Sequence, residues 1–332
     1  MTASVRLLAS PIFWIGFVAV GSMPFWLPPY YLGVAILALV YVGLALAWNI
    51  VAGIAGQMSL GHSVFVGIGA LLSSALLLRL GLNMWLGMAI AATVSAALGA
   101  FIAWLDFRFR LSHLSFALIT LAFAEIGQLA ALGTDFVGGA SGLYLPPDQG
   151  SLLRFEFGGS RGNFFLLFAV AALCLFANLA ILGSRLGYYL RAMRDSPSAA
   201  QAIGVNLLAN KIVAMMLSAV LTSFVGTAYA RYSGFVDPYQ MASPHMTVEV
   251  VLFATIGGLG TVLGPLVGAA FLVPFGEIVR GQLGGVLPGL HFLIDGVLIV
   301  AVILLVPQGL VPKLAELLNR RADDRPATWS RA

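Results

Sequence analysis

The sequence is poor in charged residues: only 9% of its 332 residues are Asp, Glu, Lys or Arg, whereas 60% are hydrophobic. Soluble globular proteins carry about 25% charged residues, and a soluble chain of this length needs them to cover its surface. The low charge therefore excludes an ordinary soluble protein and indicates an integral membrane protein. The net charge of +4 is small and gives no reason to expect a nucleic-acid partner.

Cysteine and lysine are also scarce, and motifs for metal binding or catalysis are missing. The single cysteine, Cys174, excludes a disulfide framework. The four histidines show no H-x-x-x-H spacing of the kind that a metal site would use. A phosphate-binding loop needs G-x-x-x-x-G-K-[ST], but the two lysines follow Asn210 and Pro312. We therefore expect no cofactor or metal of the chain's own and no ATP hydrolysis by that route.

Long apolar segments are abundant instead. A helix of about 20 apolar residues crosses about 30 Å of hydrocarbon, and breaks at glycine, proline and charged residues predict about ten such helices, with a range of about 8–10. The first segment resembles a signal peptide, but no small-x-small cleavage site precedes Pro28, so we interpret it as a span. The sequence thus predicts an all-α polytopic membrane protein. The predicted segments are 11–27, 31–53, 63–80, 84–104, 113–133, 162–183, 211–231, 247–260, 263–281 and 289–306.

Basic residues are unevenly distributed between the two ends of these segments. With the N-terminus inside, 12 of the 17 Lys and Arg residues lie on the cytoplasmic side. Cytoplasmic loops carry an excess of Lys and Arg, so both termini are predicted to be cytoplasmic. The chain then consists of a transmembrane domain (1–312), which includes a cytoplasmic loop at 184–210, and a polar, basic cytoplasmic tail (313–332).

Residues 53–62 combine glycines with the polar Gln57, Ser59 and His62 between two apolar segments. Irregular backbone at membrane depth is tolerated only where protein buries it or where it lines a wet cavity. One interpretation is a broken helix beside a translocation path. The other is a tight cytoplasmic turn in which glycines allow close helix packing. A second glycine-rich segment, 257–265, is explained better by packing.

Acidic residues inside predicted spans are functional candidates, because a charge in hydrocarbon is costly. Glu125, Glu249 and Asp295 qualify, although Glu249 lies close to a span end. Glu125 shares a helix face with Gln128, three residues later. Hydrogen bonding between helices and lining of a path both explain Glu125. The candidate path residues are therefore Gln57, Ser59, His62, Glu125, Gln128 and Glu249.

The loop at 184–210 contains the pattern of a short capped helix. Ser196 is a good N-cap, Pro197 suits the first helical position and Gly204 suits the position after the end. Two turns are too short to be stable alone in water. We therefore expect the helix to dock on a cytoplasmic partner, with Ala200 on the docking face, rather than to be a mere connector. The candidate coupling residues are Arg194, Asp195, Ser196, Pro197, Ala199, Ala200 and Gly204.

A series of motifs in a fixed order runs along almost the whole chain. They are Gly56-Gln57-x-Ser59-Leu60-Gly61-His62 with Phe65 and Gly67-Ile68-Gly69-Ala70; Thr120-Leu121-Ala122-Phe123-Ala124-Glu125-Ile126; Gly138-Gly139-x-x-Gly142; Arg194-Asp195-Ser196-Pro197 with Ala199-Ala200, Gly204-Val205-Asn206 and Lys211; Glu249; Gly257-Gly258-Leu259-Gly260-Thr261 with Gly264-Pro265 and Gly268-Ala269; and Pro307 with Gly309-Leu310. With these motifs the chain resembles the LivM-type permeases of branched-chain amino-acid ABC importers.

The resemblance implies a type II importer-like permease in the bacterial cytoplasmic (inner) membrane. It implies pairing with a second, related permease, two cytoplasmic ATPase subunits that bind ATP and Mg, and an external substrate-binding protein. It also implies that residues 194–206 are seated in the ATPase. Two residues depart from the family: Leu71 stands where Tyr is usual, and Asp295 lies in a span where no acid is expected.

The expected function is to form half of the translocation path for branched-chain amino acids. An importer permease for urea or short amides is the alternative within the same class. A secondary transporter or channel that works alone has no use for the capped cytoplasmic helix. A membrane-embedded enzyme would need a nucleophile and base or a metal site, and the sequence has neither pattern.

Overall fold

The computed structural model describes residues 10–148, 150–283, 296, 309–311 and 313. Most of these residues are helical, and within them seven helices are long and apolar enough to cross a membrane. Short 3-10 turns occupy Met23–Phe25, Asp135–Val137, Gly139–Ser141 and Leu152–Arg154. In chain order the helices are α1 (Pro11–Ser22), α2 (Pro29–Ile54), α3 (His62–Leu80), α4 (Met84–Phe109), α5 (His113–Leu132), α6 (Ser160–Gly183), α7 (Arg185–Asp195), α8 (Pro197–Ala202), α9 (Leu207–Ser233), α10 (Pro238–Met241), α11 (Pro244–Gly257) and α12 (Leu263–Leu283).

The all-α polytopic architecture is confirmed. Each predicted segment up to 263–281 falls on one of these helices, whereas 289–306 lies outside the described residues except for Gly296. The tail also lies outside them, except for Lys313. Helices α1 and α11 have 12 and 14 residues, fewer than the about 20 that a span needs. The number of spans therefore stays a prediction.

Helix α2 forms the centre of the bundle, because it is apolar on every side and can be buried on every side. It packs against α6, α9, α11 and α12, and its fully buried residues include Trp48 and Ile36. Helix α5 is the opposite case, because only a few of its side chains are buried and one of its faces is exposed on the surface of the bundle. The core therefore lies around α2, and α5 is at the periphery.

The second glycine-rich segment allows α11 and α12 to pack backbone against backbone. A Cβ added to Gly257 would lie 1.8 Å from the carbonyl oxygen of Gly264, and one added to Gly268 would lie 2.0 Å from that of Phe253. No side chain fits at either contact. The structure thus agrees with the packing interpretation of residues 257–265.

The two ends of the bundle differ in character. One end, called the sheet end, has two short antiparallel strands, β1 (Leu143–Tyr144) and β2 (Phe235–Val236), in which Leu143 lies opposite Val236. The other end, called the basic end, has Arg108, Arg110 and Arg194. The polar groups discussed below lie mainly at the basic end.

A single carboxylate organises the loop after β1 at the sheet end. Burial raises the pKa of the Asp148 carboxyl, but hydrogen bonds from backbone N–H groups lower it, and the resulting pKa lies below its usual value. A guanidinium nitrogen of Arg231 lies 4.0 Å from the same carboxylate. The loop is therefore closed around one charge. The donating N–H groups belong to Gly150, Phe157, Gly158 and Gly159.

Candidate functional site

The predicted capped helix is present in the loop between α6 and α9. The Ser196 hydroxyl accepts a hydrogen bond from the N–H of Ala199 at 3.4 Å, and Pro197 occupies the first position of α8. Gly204 follows the end of the helix with φ +90°, a left-handed conformation that glycine adopts at little cost. Asp195 ends α7 with its side chain exposed, 3.4 Å from Nε of Arg194. The prediction of a helix at this position is confirmed.

Ala200 faces inward, and its predicted place on a docking face is wrong. It is 2% exposed and packs in a small cluster with Met193 and Val205. The small side chain lets α8 lie close against α7, which explains an alanine here without any partner. The exposed positions include Ala199 and, directly after the helix, Ile203, which is 79% exposed.

Arg194 connects this loop to both glycine-rich segments. Its Nη1 donates a hydrogen bond of 2.9 Å to the carbonyl oxygen of Gly53. Its Cγ lies where a Cβ on Gly56 would come within 2.3 Å, and its Nη1 lies where a Cβ on Gly260 would come within 2.8 Å. The long side chain thus lies on surfaces that only glycine leaves open. The last turn of α2, the loop before α12 and the end of α7 therefore meet at one guanidinium.

The connection between α2 and α3 is a close-packed turn. Helix α2 ends in a π-helical turn (Ile50–Ile54), and residues 55–61 are irregular. The Trp48 indole N–H donates to the carbonyl oxygen of Ser59 at 2.7 Å. The N–H of Leu60 donates to Oγ1 of Thr120 at 2.9 Å. Because these groups are buried and paired, the structure favours the packed turn over a broken helix that lines an open path.

His62 ties three helices together at this turn. The hydroxyl of Ser218 in α9 donates to the carbonyl oxygen of Ala47 in α2 at 2.7 Å. The Ser218 oxygen can then accept a hydrogen bond from His62 Nε2 at 2.7 Å. In that tautomer His62 Nδ1 accepts from the Ser59 hydroxyl at 3.0 Å. Ser59 and His62 are 0% and 3% exposed. In this structure both are helix-locking residues.

Gln57 belongs to a buried ion pair that the sequence did not reveal. Nζ of Lys211 lies 2.6 Å from Oδ2 of Asp106, and Nε2 of Gln57 donates to the same oxygen at 2.5 Å. The Asp106 side chain is only 2% exposed. Asp106 follows the predicted span 84–104 by two residues, so its burial could not be read from hydropathy. The pair borders a cleft of about 600 Å³ at the basic end, which Arg194 also lines.

Glu125 and Gln128 point to different surroundings although they are three residues apart. Gln128 Nε2 donates to the carbonyl oxygen of Pro238 at 3.2 Å and so fastens α5 to α10. Glu125 is exposed beside Ile126 and Leu129 on the outer face of α5. The predicted shared stripe is therefore divided, and Glu125 lies on a face that the chain itself leaves uncovered.

Glu249 lies in a separate cavity between α2, α11 and α12. The hydroxyl of Tyr41 donates to Oε2 of Glu249, and Nδ1 of His245 lies 3.5 Å from its Oε1. The candidate path residues thus fall in four places: the buried turn between α2 and α3, the outer face of α5, the contact between α5 and α10, and the cavity at Glu249. The described residues do not bring them together into one site.

Comparisons with known proteins agree with this architecture. The family model for the permease component of branched-chain amino acid transport systems matches residues 30–306. The chain is 30% identical to the high-affinity branched-chain amino acid transport system permease protein LivM of Escherichia coli K12 and 29% identical to that of Salmonella typhimurium LT2. Each comparison covers 84% of this chain and 69% of the relative.

No solved structure matches the chain significantly. The family model nevertheless covers α2 through α12 without interruption, and these helices carry both glycine-rich segments, the capped helix and the ion pair. The chain is a multi-pass membrane protein that belongs to the branched-chain amino acid transport system permease family.

Proposed function

We propose that this chain is one of two related permease subunits of an ABC importer for branched-chain amino acids in the bacterial cytoplasmic membrane. Its basic end faces the cytoplasm, in accordance with the excess of Lys and Arg there. Two cytoplasmic ATPase subunits bind ATP and Mg, and an external binding protein delivers the amino acid. Family membership and the names of the relatives support the substrate class.

The observation that carries the proposal is the contact of Arg194 with the helix bundle. Ala199 on α8 and Ile203 directly after it face outward at the basic end, and Arg194 lies in the last turn of the preceding helix, α7. Through its hydrogen bond to the Gly53 carbonyl and its contact with Gly260, a displacement of α8 would reach α2 and α12. A stand-alone carrier has no need of such a linkage. An ATPase seated on α8 would use it to reorient the helices.

The exposed face of α5 is the proposed contact with the second permease. A carboxylate at mid-helix that faced only lipid would be costly, and Glu125 is surrounded by Leu118, Ile126 and Leu129 on that face. A neighbouring protein surface or a path between two subunits removes that cost. Glu125 would then lie at the boundary between the permeases, where the amino acid passes.

Reconstitution into liposomes tests this function. The chain with a related permease, the ATPases and the binding protein should accumulate leucine when ATP is supplied, whereas the chain alone should neither accumulate leucine nor hydrolyse ATP. Omission of the binding protein is the control for delivery. Leucine accumulation by the chain alone would establish a stand-alone carrier. Accumulation of urea but not leucine by the assembly would establish a urea or short-amide importer instead of one for branched-chain amino acids.

Glu125→Gln should reduce leucine uptake by about tenfold or more, because a hydrogen bond from the neighbouring subunit or from the amino acid to the charged carboxylate would contribute about 1.5–3 kcal/mol. The amide keeps the shape, so the two permeases should still co-purify. Asp135→Asn, which removes an exposed carboxylate just beyond α5, is the matched control and should transport normally. Wild-type uptake by Glu125→Gln would show that the charge has no part in transport.

A further inference from the structure

The cavity that contains Glu249 is an open pocket lined by α2, α9, α10, α11 and α12 together with Gly296, and it has a volume of about 330 Å³. Cavities that hold small ligands start at about 300 Å³, so the space suits one small molecule. Three of these helices, α2, α9 and α12, are long and apolar enough to cross a membrane, where a charged group carries a cost that needs an explanation.

Charges of both signs lie on the cavity wall. The Glu249 carboxylate accepts a hydrogen bond from the Tyr41 hydroxyl, and Nδ1 of His245 lies 3.5 Å from it. On α12, Nη1 of Arg280 lies 2.9 Å from Oε1 of Glu277. The side chains of Glu249 and Arg280 are 30% and 49% exposed, so both charged groups remain accessible to a ligand. A guanidinium has five N–H donors, and the contact with Glu277 leaves others for a ligand.

Apart from Tyr229 and Gln240, the rest of the wall formed by the described residues is apolar. Leu37 from α2, Leu252 and Phe253 from α11 and Leu272 from α12 all face the space. The Phe253 ring packs edge-on against Tyr41, with the ring centres 5.4 Å apart. A ligand that satisfies this wall has a compact hydrocarbon part, a cation and an anion. A free metal ion would leave the hydrocarbon wall unused, and a lipid tail would leave both charges unused.

We propose that this cavity binds a zwitterionic α-amino acid with an apolar side chain during its passage through the transporter. Glu249, oriented by Tyr41, receives the ammonium group. Arg280 receives the carboxylate, and the apolar wall receives the side chain. This inference rests on the proposed function, because it names a binding point for the amino acid that the importer carries.

Binding of radiolabelled leucine to the purified assembly of permeases and ATPases, without the binding protein, tests the site. Leucinamide lacks the carboxylate and isocaproate lacks the ammonium group, so each should compete at least about tenfold more weakly than leucine, in line with the loss of a charged hydrogen bond. Equal competition by all three compounds, or no leucine binding by an assembly that transports leucine, would overturn the proposal.

Two substitutions separate the roles of the two charges. Arg280→Gln should weaken leucine binding by about tenfold or more and leave leucinamide binding unchanged, while Glu249→Gln should weaken leucine and leave isocaproate unchanged. Arg79→Gln, which removes an exposed cation outside the cavity, should bind like the wild type.

The outcomes distinguish this proposal from the function on which it rests. Normal leucine binding by both cavity variants, together with ATP-driven leucine uptake, would exclude the site and leave the importer function intact. An assembly that transports no leucine would overturn both. If a cavity variant fails to assemble, the competition experiment on the wild-type protein still decides.

Discussion

Lys211→Met should destabilise the folded permease by about 3–5 kcal/mol, since removal of one partner from a buried ion pair leaves an uncompensated charge. Asp106 is 2% exposed and accepts from Nζ of Lys211 at 2.6 Å. The remaining donor, Gln57, is neutral and cannot balance the carboxylate. Thermal unfolding of the purified permease in detergent measures the effect, which should also lower the amount of folded protein in the membrane.

The double variant Asp106→Leu, Lys211→Met separates the cost of an unpaired charge from the value of the pair. Replacing both members of a buried pair with apolar residues is often nearly neutral. The double variant should therefore regain most of the lost stability, except for about 1 kcal/mol for the hydrogen bond that Gln57 loses. Arg108→Met removes an exposed cation at the same end and is the control. A Lys211→Met protein as stable as Arg108→Met would contradict the prediction.

Ile203→Glu should abolish most of the coupled activity while the permease itself folds normally. Ile203 is 79% exposed directly after α8, and a central apolar anchor of an interface contributes about 2 kcal/mol or more, equivalent to a loss of affinity of about 30-fold. Stimulated ATP hydrolysis and leucine uptake should fall together, and less ATPase should co-purify. Ile203→Leu keeps the apolar surface and should behave like the wild type.

Ala200→Glu gives a contrasting result that identifies which face of α8 docks. Ala200 is buried against Met193 and Val205, so a glutamate there should disorder the loop and reduce the permease's own stability. Ile203→Glu should leave stability unchanged. Normal ATPase co-purification with Ile203→Glu would mean that the partner contacts another surface.

The helices could be predicted because the bilayer imposes long apolar segments, and those segments are visible in the sequence. The short helix α8 could be predicted because its cap residues, Ser196, Pro197 and Gly204, are local signals. The C-terminal limit of α1 could not be predicted. The apolar sequence continues past the last helical turn at Ser22 and past Pro24, so the predicted segment extended to the residue before Pro28. Hydropathy reports composition, and it does not report where backbone hydrogen bonding stops.

The contacts of the candidate functional site could not be predicted from the sequence, because they join distant parts of the chain. Arg194 and Gly53 are 141 positions apart, and Lys211 and Asp106 are 105 apart. A single sequence shows which residues can pair but not which do. The direction of Ala200 was missed for a related reason, because a small residue suits a tight contact with another protein and with the chain's own α7 equally well. The exposure of Glu125 likewise depends on how α5 is rotated in the bundle.

The loop closed around Asp148 has a consequence for the binding of partner proteins at the sheet end. Association with any partner costs conformational entropy for each segment that must be ordered at the moment of contact. Residues 150–159 have several backbone amides already committed to one carboxylate. The surface next to the two strands is therefore preorganised. A protein that binds there does not have to order a flexible loop on contact.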